Sequence, residues 1–343
     1  MNNPELVDYK GVIHIHSKCS DGSGGYRKIL QAAQSNDLDF VIITDHNTMK
    51  WRKRHGEGWC KNVLFLVGEE ITPKINHFIA LNIKEAIVPK LREKDPRTYI
   101  EKVKQQNGFG FIAHPIRKRK RSLGIRDMSW MGENNLHFHG IEIWSYMHDW
   151  IEDIHPFNLL YYLLHPEKTI TGPSKQVLKL WDRLNAIRPT IAIGGLDAHA
   201  RYILPFISVF PYKKLFNTIR THILSMPFSG NSLEDIQNVY SALRKGSSYI
   251  AYDFLAEASG FSFIVTRGNH RAVMGEEIKL ANDLVSQIKC PQEAKISLLH
   301  NGAVVKCAND RFLNYEVKDS GSYRVEVYLK GKPWIFSNPI YVR

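Results

Sequence analysis

The sequence predicts an α/β fold, a distorted seven-stranded (β/α) barrel at residues 1–255, followed by a small immunoglobulin-like all-β sandwich at residues 256–343. In the first two thirds of the chain, short apolar runs alternate with helix-like stretches, as in barrels and other parallel α/β folds. Several runs are almost continuously hydrophobic, which is typical of strands buried on both faces. After about residue 256 the helix-like stretches stop, and short strands separated by turns take their place.

The elements of the barrel follow from these runs. Seven runs predict strands: Gly11–Ile15, Phe40–Ile43, Val63–Val67, Phe78–Ile83, Phe109–Ala113, Gly140–Trp144 and Ile191–Ile193. Three stretches between them predict helices: Tyr26–Ser35, Pro96–Gln106 and Val177–Asn185. Residues 213–246 are also predicted to be helical, with Ser232 and Asp235 as a capping box and Gly246 as the C-cap.

Strand-like segments dominate the C-terminal region. They are Ser262–Val265, Lys295–His300, Ala303–Lys306, Tyr315–Lys318, Ser322–Leu329 and Trp334–Val342. Asn301-Gly302 separates two of them, and this dipeptide favours the tight turn of a β-hairpin.

Composition indicates an ordinary globular protein with a basic surface. The 343 residues are 43% hydrophobic and 23% charged, with a formal net charge of +12. A basic surface attracts anions, so we expect an anionic small-molecule partner and no membrane partner. The four cysteines form no CxxC pair and no apolar stretch is long enough to span a bilayer, so we expect reduced thiols and a cytoplasmic protein.

A chemical signal begins at His14-Ile15-His16. Alternate residues of a strand point to the same face, so both imidazoles are predicted to share one face and could bind one metal ion. Alone, this pattern is ambiguous, because two histidines at this spacing also occur by chance.

Similar groups follow most of the later predicted strands. Because the carboxyl ends of parallel strands meet at one edge, these side chains are predicted to converge there. The candidate metal ligands are His14, His16, Asp21, His46, Glu70, His77, His114, Asp197 and His199. Nine ligands are too many for one tetrahedral ion, so two or three divalent ions are expected; mixed imidazole and carboxylate ligands suit Zn, Mn or Fe.

These motifs, in this order, resemble the PHP superfamily of polymerase-associated and histidinol-phosphatase domains. The motifs are His14-x-His16, Ser20-Asp21-Gly22, Thr44-Asp45-His46, Glu70, His77, Ala113-His114-Pro115 and Asp197-x-His199. Val67–Thr72 with Asn76-His77, Gly140–Trp144 and Trp334–Pro339 are similar, more narrowly, to the carbaryl-hydrolase-like branch of metallohydrolases.

The resemblance implies a TIM-like PHP-type barrel with a three-metal site. His14, His16, Glu70 and Asp197 would hold the first ion. Glu70 would bridge to a second ion, held with His77 and His114. Asp21, His46 and His199 would hold the third; many members have histidine where this chain has Asp21.

Roles can be assigned to several further residues. The candidate catalytic residues are Asp45, Glu70 and His199, and the candidate substrate-binding residues are Arg117, Arg126 and Arg201. Asp45 is expected to orient a neighbour or donate a proton, and the arginines to attract phosphate. Four other histidines, His137, His139, His148 and His155, are interpreted as surface or structural residues.

The predicted function is a metal-dependent hydrolase, specifically a phosphoesterase acting on a small phosphorylated metabolite or nucleotide. A metal-activated hydroxide would be the nucleophile. The alternative is a carbamate, ester or amide hydrolase with the same metal site and an apolar pocket. A nucleic-acid-binding protein or nuclease would instead require a continuous basic stripe. The sequence leaves the oligomeric state open.

Overall fold

The computed structural model describes residues 6–116, 129–130, 137–204, 207–208 and 210–343. Nine strands come first: β1 Val7–Ile15, β2 Phe40–Ile43, β3 Gly58–Cys60, β4 Val63–Val67, β5 Glu69–Ile71, β6 Phe78–Leu81, β7 Phe109–Ile112, β8 Gly140–Ser145 and β9 Ile191–Gly195. The later strands are β10 Tyr202–Leu204, β11 Ile207–Ser208, β12 Ile219–Ser225, β13 Ser248–Tyr252, β14 Ser262–Arg267, β15 His270–Val273, β16 Glu277–Ile278, β17 Val285–His300, β18 Ala303–Glu316, β19 Gly321–Leu329, β20 Lys332–Ser337 and β21 Ile340–Val342.

Eight α-helices and a 3-10 turn at Pro166–Lys168 connect these strands in the described part of the chain. The helices are α1 Tyr26–Gln34, α2 Lys50–His55, α3 Arg97–Gln105, α4 Tyr146–Glu152, α5 Leu159–Leu164, α6 Lys175–Ile187, α7 Tyr212–Leu215 and α8 Ser232–Lys245. The strands predicted at Phe40–Ile43 and Val63–Val67 are confirmed with the same bounds. None of these helices is long and apolar enough to cross a membrane.

The strands form a mixed α/β architecture with two main sheets. A 14-stranded sheet contains β1, β2 and β4 in parallel, and a five-stranded sheet runs in the order β5-β6-β7-β8-β9. β7, β8 and β9 are parallel, whereas β5, β6 and β7 pair antiparallel. Single bridges, Ile15 to Ala198 and His46 to Glu70, join the two sheets. No closed barrel is detected among the described strands.

The buried strands bring hydrophobic residues to both of their faces. In β2, Val41 and Ile43 belong to one apolar cluster with helix residues, while Phe40 and Ile42 belong to a second cluster. This alternation explains why the run is continuously apolar, because each face packs against its own partner layer.

The prediction that residues 213–246 are helical throughout is wrong. The segment contains a short helix, α7, then strand β12, and only then α8. β12 pairs antiparallel with both β1 and β13, and its β-branched Ile219, Thr221 and Ile223 fit that central position. Asn231 rather than Ser232 caps α8, with its Oδ1 accepting two backbone N–H groups.

The C-terminal strands continue the large sheet. β13 pairs with β20, so hydrogen bonding crosses the predicted boundary between residues 255 and 256. Asn301 and Gly302 both have positive φ, 50° and 81°, in the turn between β17 and β18, as the sequence predicted. A two-layered sandwich is not detected as separate sheets in the described chain, because pairing places these strands in the 14-stranded sheet.

A buried ionic network ties β1, β12 and β13 together. His222 lies between two carboxylates, with Nδ1 3.1 Å from Asp8 and Nε2 3.1 Å from Asp253. Arg220 contacts the same Asp253 carboxylate at 3.2 Å, and the Tyr249 hydroxyl donates to Asp8 at 2.6 Å. Burial alone would lower the pKa of His222, but Asp253 and Asp8 raise it to about 9.

We expect this histidine to make stability depend on pH. His222 binds its proton more tightly in the folded state than in the unfolded state, in which its pKa is about 6.5. The stabilisation is therefore complete below pH 6.5 and is lost as pH rises through 9, by roughly 3 kcal/mol at most. Denaturant unfolding from pH 6 to 9.5 should show this slope in the wild type and in the exposed-residue control His270→Gln. The same slope in His222→Gln would contradict the assignment.

Candidate metal centre

The predicted ligands converge where the two sheets meet. β1 carries His14 and leads into His16, but the strand does not present them by simple alternation. His14 has a positive φ of 66°, and the pairing of β1 with β2 shifts register between Val12 and Ile15. The two imidazole rings nevertheless lie 5.3 Å apart, on the same side of the structure as Glu70 and Asp197.

The first group of donors consists of His14, His16, Glu70 and Asp197. Glu70 Oε2 lies 3.4 Å from the Nε2 atoms of both histidines. Asp197 Oδ1 lies 3.6 Å from His14 Nε2 and 3.3 Å from His16 Nε2. One ion could therefore be held by donors from β1, β5 and the segment after β9.

The second group shares Glu70 with the first. Its other oxygen, Oε1, lies 2.9 Å from His77 Nδ1 and 3.2 Å from His114 Nε2. His77 precedes β6, and this strand runs antiparallel to β5 and β7. The start of β6 therefore lies at the same edge as the end of β7, which brings His77 to His114.

The third group, Asp21, His46 and His199, lies beside His16. Asp21 Oδ1 is 3.2 Å from His199 Nε2 and 3.5 Å from His46 Nε2. Asp21 also forms an ion pair with Arg201, whose side chain is 65% exposed. This group is the most open of the three. The structure thus brings all nine sequence-predicted ligands together.

The cluster suits cations rather than a closed hydrogen-bond network. His14 Nε2, both ring nitrogens of His16, His114 Nδ1 and Glu70 Oε2 are buried without a hydrogen-bond partner in the described structure. Buried polar atoms nearly always have a partner, so these unpaired donor atoms fit the needs of a bound cation. The donor set of imidazole and carboxylate fits divalent transition ions.

The pKa shifts divide the imidazoles of the cluster into two sets. Burial opposes protonation of His14, His46 and His199, but the neighbouring carboxylates raise the pKa of all three. Burial lowers the pKa of His16 to about 3 and, with His148 nearby, that of His114 to about 4, so both rings keep free lone pairs. Burial alone would raise the pKa of Glu70 and Asp197, but the surrounding imidazoles hold both well below the usual range. The carboxylates are therefore ionised and give the buried site negative charge.

Glu142, at β8, orients two of the histidines. Its Oε1 contacts His14 Nδ1 at 2.8 Å, and its Oε2 accepts the backbone N–H of His114 at 2.8 Å. A carboxylate on one ring nitrogen fixes the ring and leaves the other nitrogen for a metal ion. Gly195 in β9 makes room for this contact, since a β-carbon there would collide with Glu142 Oε1.

Asp45 lies close to the cluster, and its carboxylate accepts hydrogen bonds from the loop that follows β1. Its carboxylate accepts from the Ser17 backbone N–H at 2.7 Å, from the Ser17 hydroxyl at 2.6 Å and from Ser20 Oγ at 2.5 Å. These contacts place the loop that carries Asp21. A catalytic role for Asp45 stays a prediction.

His148 belongs to the cluster, which corrects its interpretation as a surface or structural residue. Its Nε2 lies 3.2 Å from Asp197 Oδ2, and its ring stacks on His114 with centroids 4.0 Å apart. His114, His148 and Asp197 could together hold an ion. The sequence offered one indication of this role, since His148 comes three residues after the end of β8. The indication was easy to miss because helix α4 begins directly after the strand and carries His148.

A cavity of about 480 Å³ opens onto the cluster. Its lining combines candidate donors and Arg201 with apolar side chains. Those apolar residues are Met147, Trp150, Ile151, Leu163, Ala200 and Phe210. Of the three arginines predicted to bind substrate, Arg201 lines this cavity, while Arg117 and Arg126 lie outside the described residues.

The chain resembles known proteins in both structure and sequence. No family model matches the chain. Its structure is similar to a two-domain protein from Bacteroides vulgatus that contains a predicted PHP-like metal-dependent phosphoesterase (16% identity, 99% of this chain and 98% of that chain, TM-score 0.46). It is also similar to endonuclease Q bound to a 27-mer duplex with an abasic lesion (12% identity, 70% of this chain and 56% of that chain, TM-score 0.41).

Both TM-scores are below 0.5, so neither likeness bears on the chemistry of the cluster. One protein is similar to this chain in amino-acid sequence at a higher identity than these two structures. The chain is 30% identical over 158 residues to the uncharacterized protein MJ1587 from Methanocaldococcus jannaschii, covering 40% of this chain and 83% of that protein, and it therefore belongs to the same family.

Proposed function

We propose that the chain is a metal-dependent hydrolase of the PHP type, a phosphoesterase acting on a small phosphorylated metabolite or nucleotide. The observation that carries this proposal is the shared carboxylate of Glu70. Its two oxygens face different donor groups, Oε2 towards His14 and His16 and Oε1 towards His77 and His114. A bridging carboxylate of this kind suits two ions held close together, as in phosphoryl-transfer sites.

Divalent ions in these groups would activate water near neutral pH and polarise the phosphoryl oxygen of a substrate. The residues of the chain supply the geometry for that chemistry. Glu142 fixes the ring of His14, and the buried walls exclude water from the deepest donors. Arg201 at the rim is a cation within the same cavity, suited to a second anionic group of the substrate.

A second candidate function, hydrolysis of a carbamate, ester or amide, is favoured by the apolar residues that line the cavity. Trp150 and Phe210 pack edge to face with centroids 4.7 Å apart, and the Trp150 indole donates to the Tyr162 carbonyl at 3.1 Å. This fixed aromatic surface suits a planar apolar group next to the reacting carbonyl. Membership in the carbaryl-hydrolase-like branch would agree with it.

Several finer points belong to the same proposal. We infer two or three ions of Zn, Mn or Fe, with the nine predicted ligands and His148 available to hold them. We also propose a division into a seven-stranded PHP-type barrel at residues 1–255 and a β-sandwich at residues 256–343, and a cytoplasmic location. Nuclease activity is a weaker candidate, because it needs a basic stripe longer than the cavity.

The decisive experiment combines metal analysis with turnover of p-nitrophenyl phosphate, bis-p-nitrophenyl phosphate and 1-naphthyl methylcarbamate. We expect two or three ions per chain and phosphate release that is lost in His14→Ala/Asp197→Ala. The matched control, His270→Ala/Asp319→Ala, removes the same residue types at exposed positions and should behave as wild type. Naphthol release without phosphate release would replace the first candidate by the second. A protein without bound metal or turnover, even after addition of Mn or Zn, would refute both.

A further inference from the structure

Helix α4 gives the cavity over the metal centre an apolar surface that begins beside the candidate ligands. Met147, Trp150 and Ile151 line the cavity, and their spacing of three and four residues places them on one face of α4. The residue next to Met147 is His148, whose Nε2 lies 3.2 Å from Asp197 Oδ2. One helix therefore contributes both a candidate donor and hydrocarbon surface to the same cavity.

The indole of Trp150 is fixed as an aromatic surface. Its one hydrogen-bond donor, Nε1, is used by the Tyr162 carbonyl at 3.1 Å, and this bond joins α4 to α5. Phe210 packs edge to face against the same indole, with ring centroids 4.7 Å apart. A polar group of a ligand placed against these rings would lose water without gaining a hydrogen bond from them, which is unfavourable. A hydrocarbon group suits this part of the cavity instead.

Helix α5 continues the apolar surface from the cavity to the exterior of the protein. Leu163 lines the cavity, and Leu160, three residues earlier, is its neighbour on the helix surface. Leu160 is 70% exposed, and Leu164, four residues after it, is 64% exposed. Adjacent large apolar side chains in solvent are typical of binding surfaces. We call the following residues the apolar track: Met147, Trp150, Ile151, Phe210, Leu163 and Leu160.

We propose that the substrate is an amphiphilic phosphate ester, with its phosphate at the metal centre and a hydrocarbon leaving group along the apolar track. This inference rests on the proposed phosphoesterase function and names its substrate class. In the reaction, the oxygen of a water molecule bonds to phosphorus and the bond between phosphorus and the ester oxygen breaks. The proton lost by the water ends on the departing oxygen, so the products are inorganic phosphate and an apolar alcohol.

The size and lining of the cavity agree with such a substrate. A volume of about 480 Å³ leaves room for several carbon atoms beside a phosphate group. The hydroxyl groups of a sugar phosphate would be dehydrated against the apolar track, whereas a hydrocarbon chain gains free energy there. We therefore expect the apolar track to select the leaving group, while the metal centre binds the phosphate.

The test is calorimetric titration of the metal-loaded protein with methyl-, butyl- and hexylphosphonate. These ligands share one anionic head group, and their P–C bond is not the ester bond that the enzyme would hydrolyse. Because each buried methylene increases affinity about fourfold, hexylphosphonate should bind on the order of tenfold more tightly than butylphosphonate. Equal affinity across the series would overturn the proposal.

Leu163→Asn keeps nearly the size of leucine but removes its apolar contact. We expect it to weaken hexylphosphonate roughly fivefold and to leave methylphosphonate unchanged. The same selective weakening is expected in Leu160→Asn, which should fold normally because Leu160 is exposed. The matched control is Leu178→Asn, since Leu178 is also a partly buried helical leucine that packs against the same core, but it does not line the cavity.

Leu178→Asn should bind every phosphonate as the wild type does. Equal weakening of methyl- and hexylphosphonate in Leu163→Asn would show damage to the metal centre rather than loss of an apolar contact, and would overturn the proposal. Unchanged binding of hexylphosphonate in both Leu163→Asn and Leu160→Asn would also overturn it.

Turnover distinguishes this proposal from the proposed function. We expect phosphate release from ethyl, butyl and hexyl phosphate, with kcat/KM rising with chain length, since the three leaving alcohols have nearly the same acidity. Phosphate release independent of chain length would overturn the role of the apolar track and leave the phosphoesterase intact. Chain-length-dependent binding of the phosphonates without any phosphate release would refute the phosphoesterase instead.

Discussion

Glu70→Gln is expected to remove most of the bound metal and to lower turnover on the order of 10³-fold or more. The substituted side chain keeps the size of glutamate but has only one carbonyl oxygen and no charge. It cannot present an oxygen both to His14 and His16 and to His77 and His114, which Glu70 does with its two oxygens. Metal content per chain and kcat, measured on the same preparation, report the two effects.

The neighbouring residue provides the control. Glu69 is also fully buried in β5, but its Oε1 accepts the backbone N–H of Ile87 at 2.6 Å and belongs to no donor group. Glu69→Gln keeps an oxygen for that bond, so metal content and turnover should stay close to wild type. Equal losses in the two variants would mean that Glu70 acts through general stability rather than through bound ions.

Gly195→Ala should weaken metal binding by about 10- to 100-fold without touching any ligand directly. A β-carbon at this position would collide with Glu142 Oε1 and come within 2.9 Å of the His14 β-carbon. The displaced Glu142 would release the ring of His14 and the backbone of His114, so two donor groups would lose their orientation.

Titration of metal into the chelated protein, followed by turnover at each concentration, separates this effect from loss of fold. We expect turnover to recover at high metal concentration, and Glu142→Gln to show the same dependence. Gly25→Ala serves as the control, since no atom lies within 4 Å of a β-carbon built at Gly25. A variant at Gly195 that bound metal normally but lost turnover would contradict the positioning role of Glu142.

The strands that the sequence predicted best are those whose two faces are both buried. β2 and β4 are apolar at every position because both faces are covered, so their bounds could be predicted exactly as they occur. β12 escaped prediction because it contains Arg220 and His222, which enter a buried ionic network that only the fold assembles. Pairing of β13 with β20 depends on long-range register, which periodicity does not reveal.

The candidate metal centre was largely visible in the sequence because a strand end fixes where a side chain lies. This logic located the nine candidate ligands, including His77, which reaches the edge only because β6 runs antiparallel. It missed His148, which a helix presents, and it could not reveal that Asp45 holds a loop.

Three of the candidate ligands occupy backbone conformations that most side chains avoid. His14, His114 and Asp197 have φ of 66°, 29° and 51°, and such residues cost about 1–3 kcal/mol each. Glycine or asparagine would relieve that cost while removing a donor. Laboratory selection for thermal stability alone should therefore replace these three residues first. The most thermostable variants of this protein would then have the lowest activity.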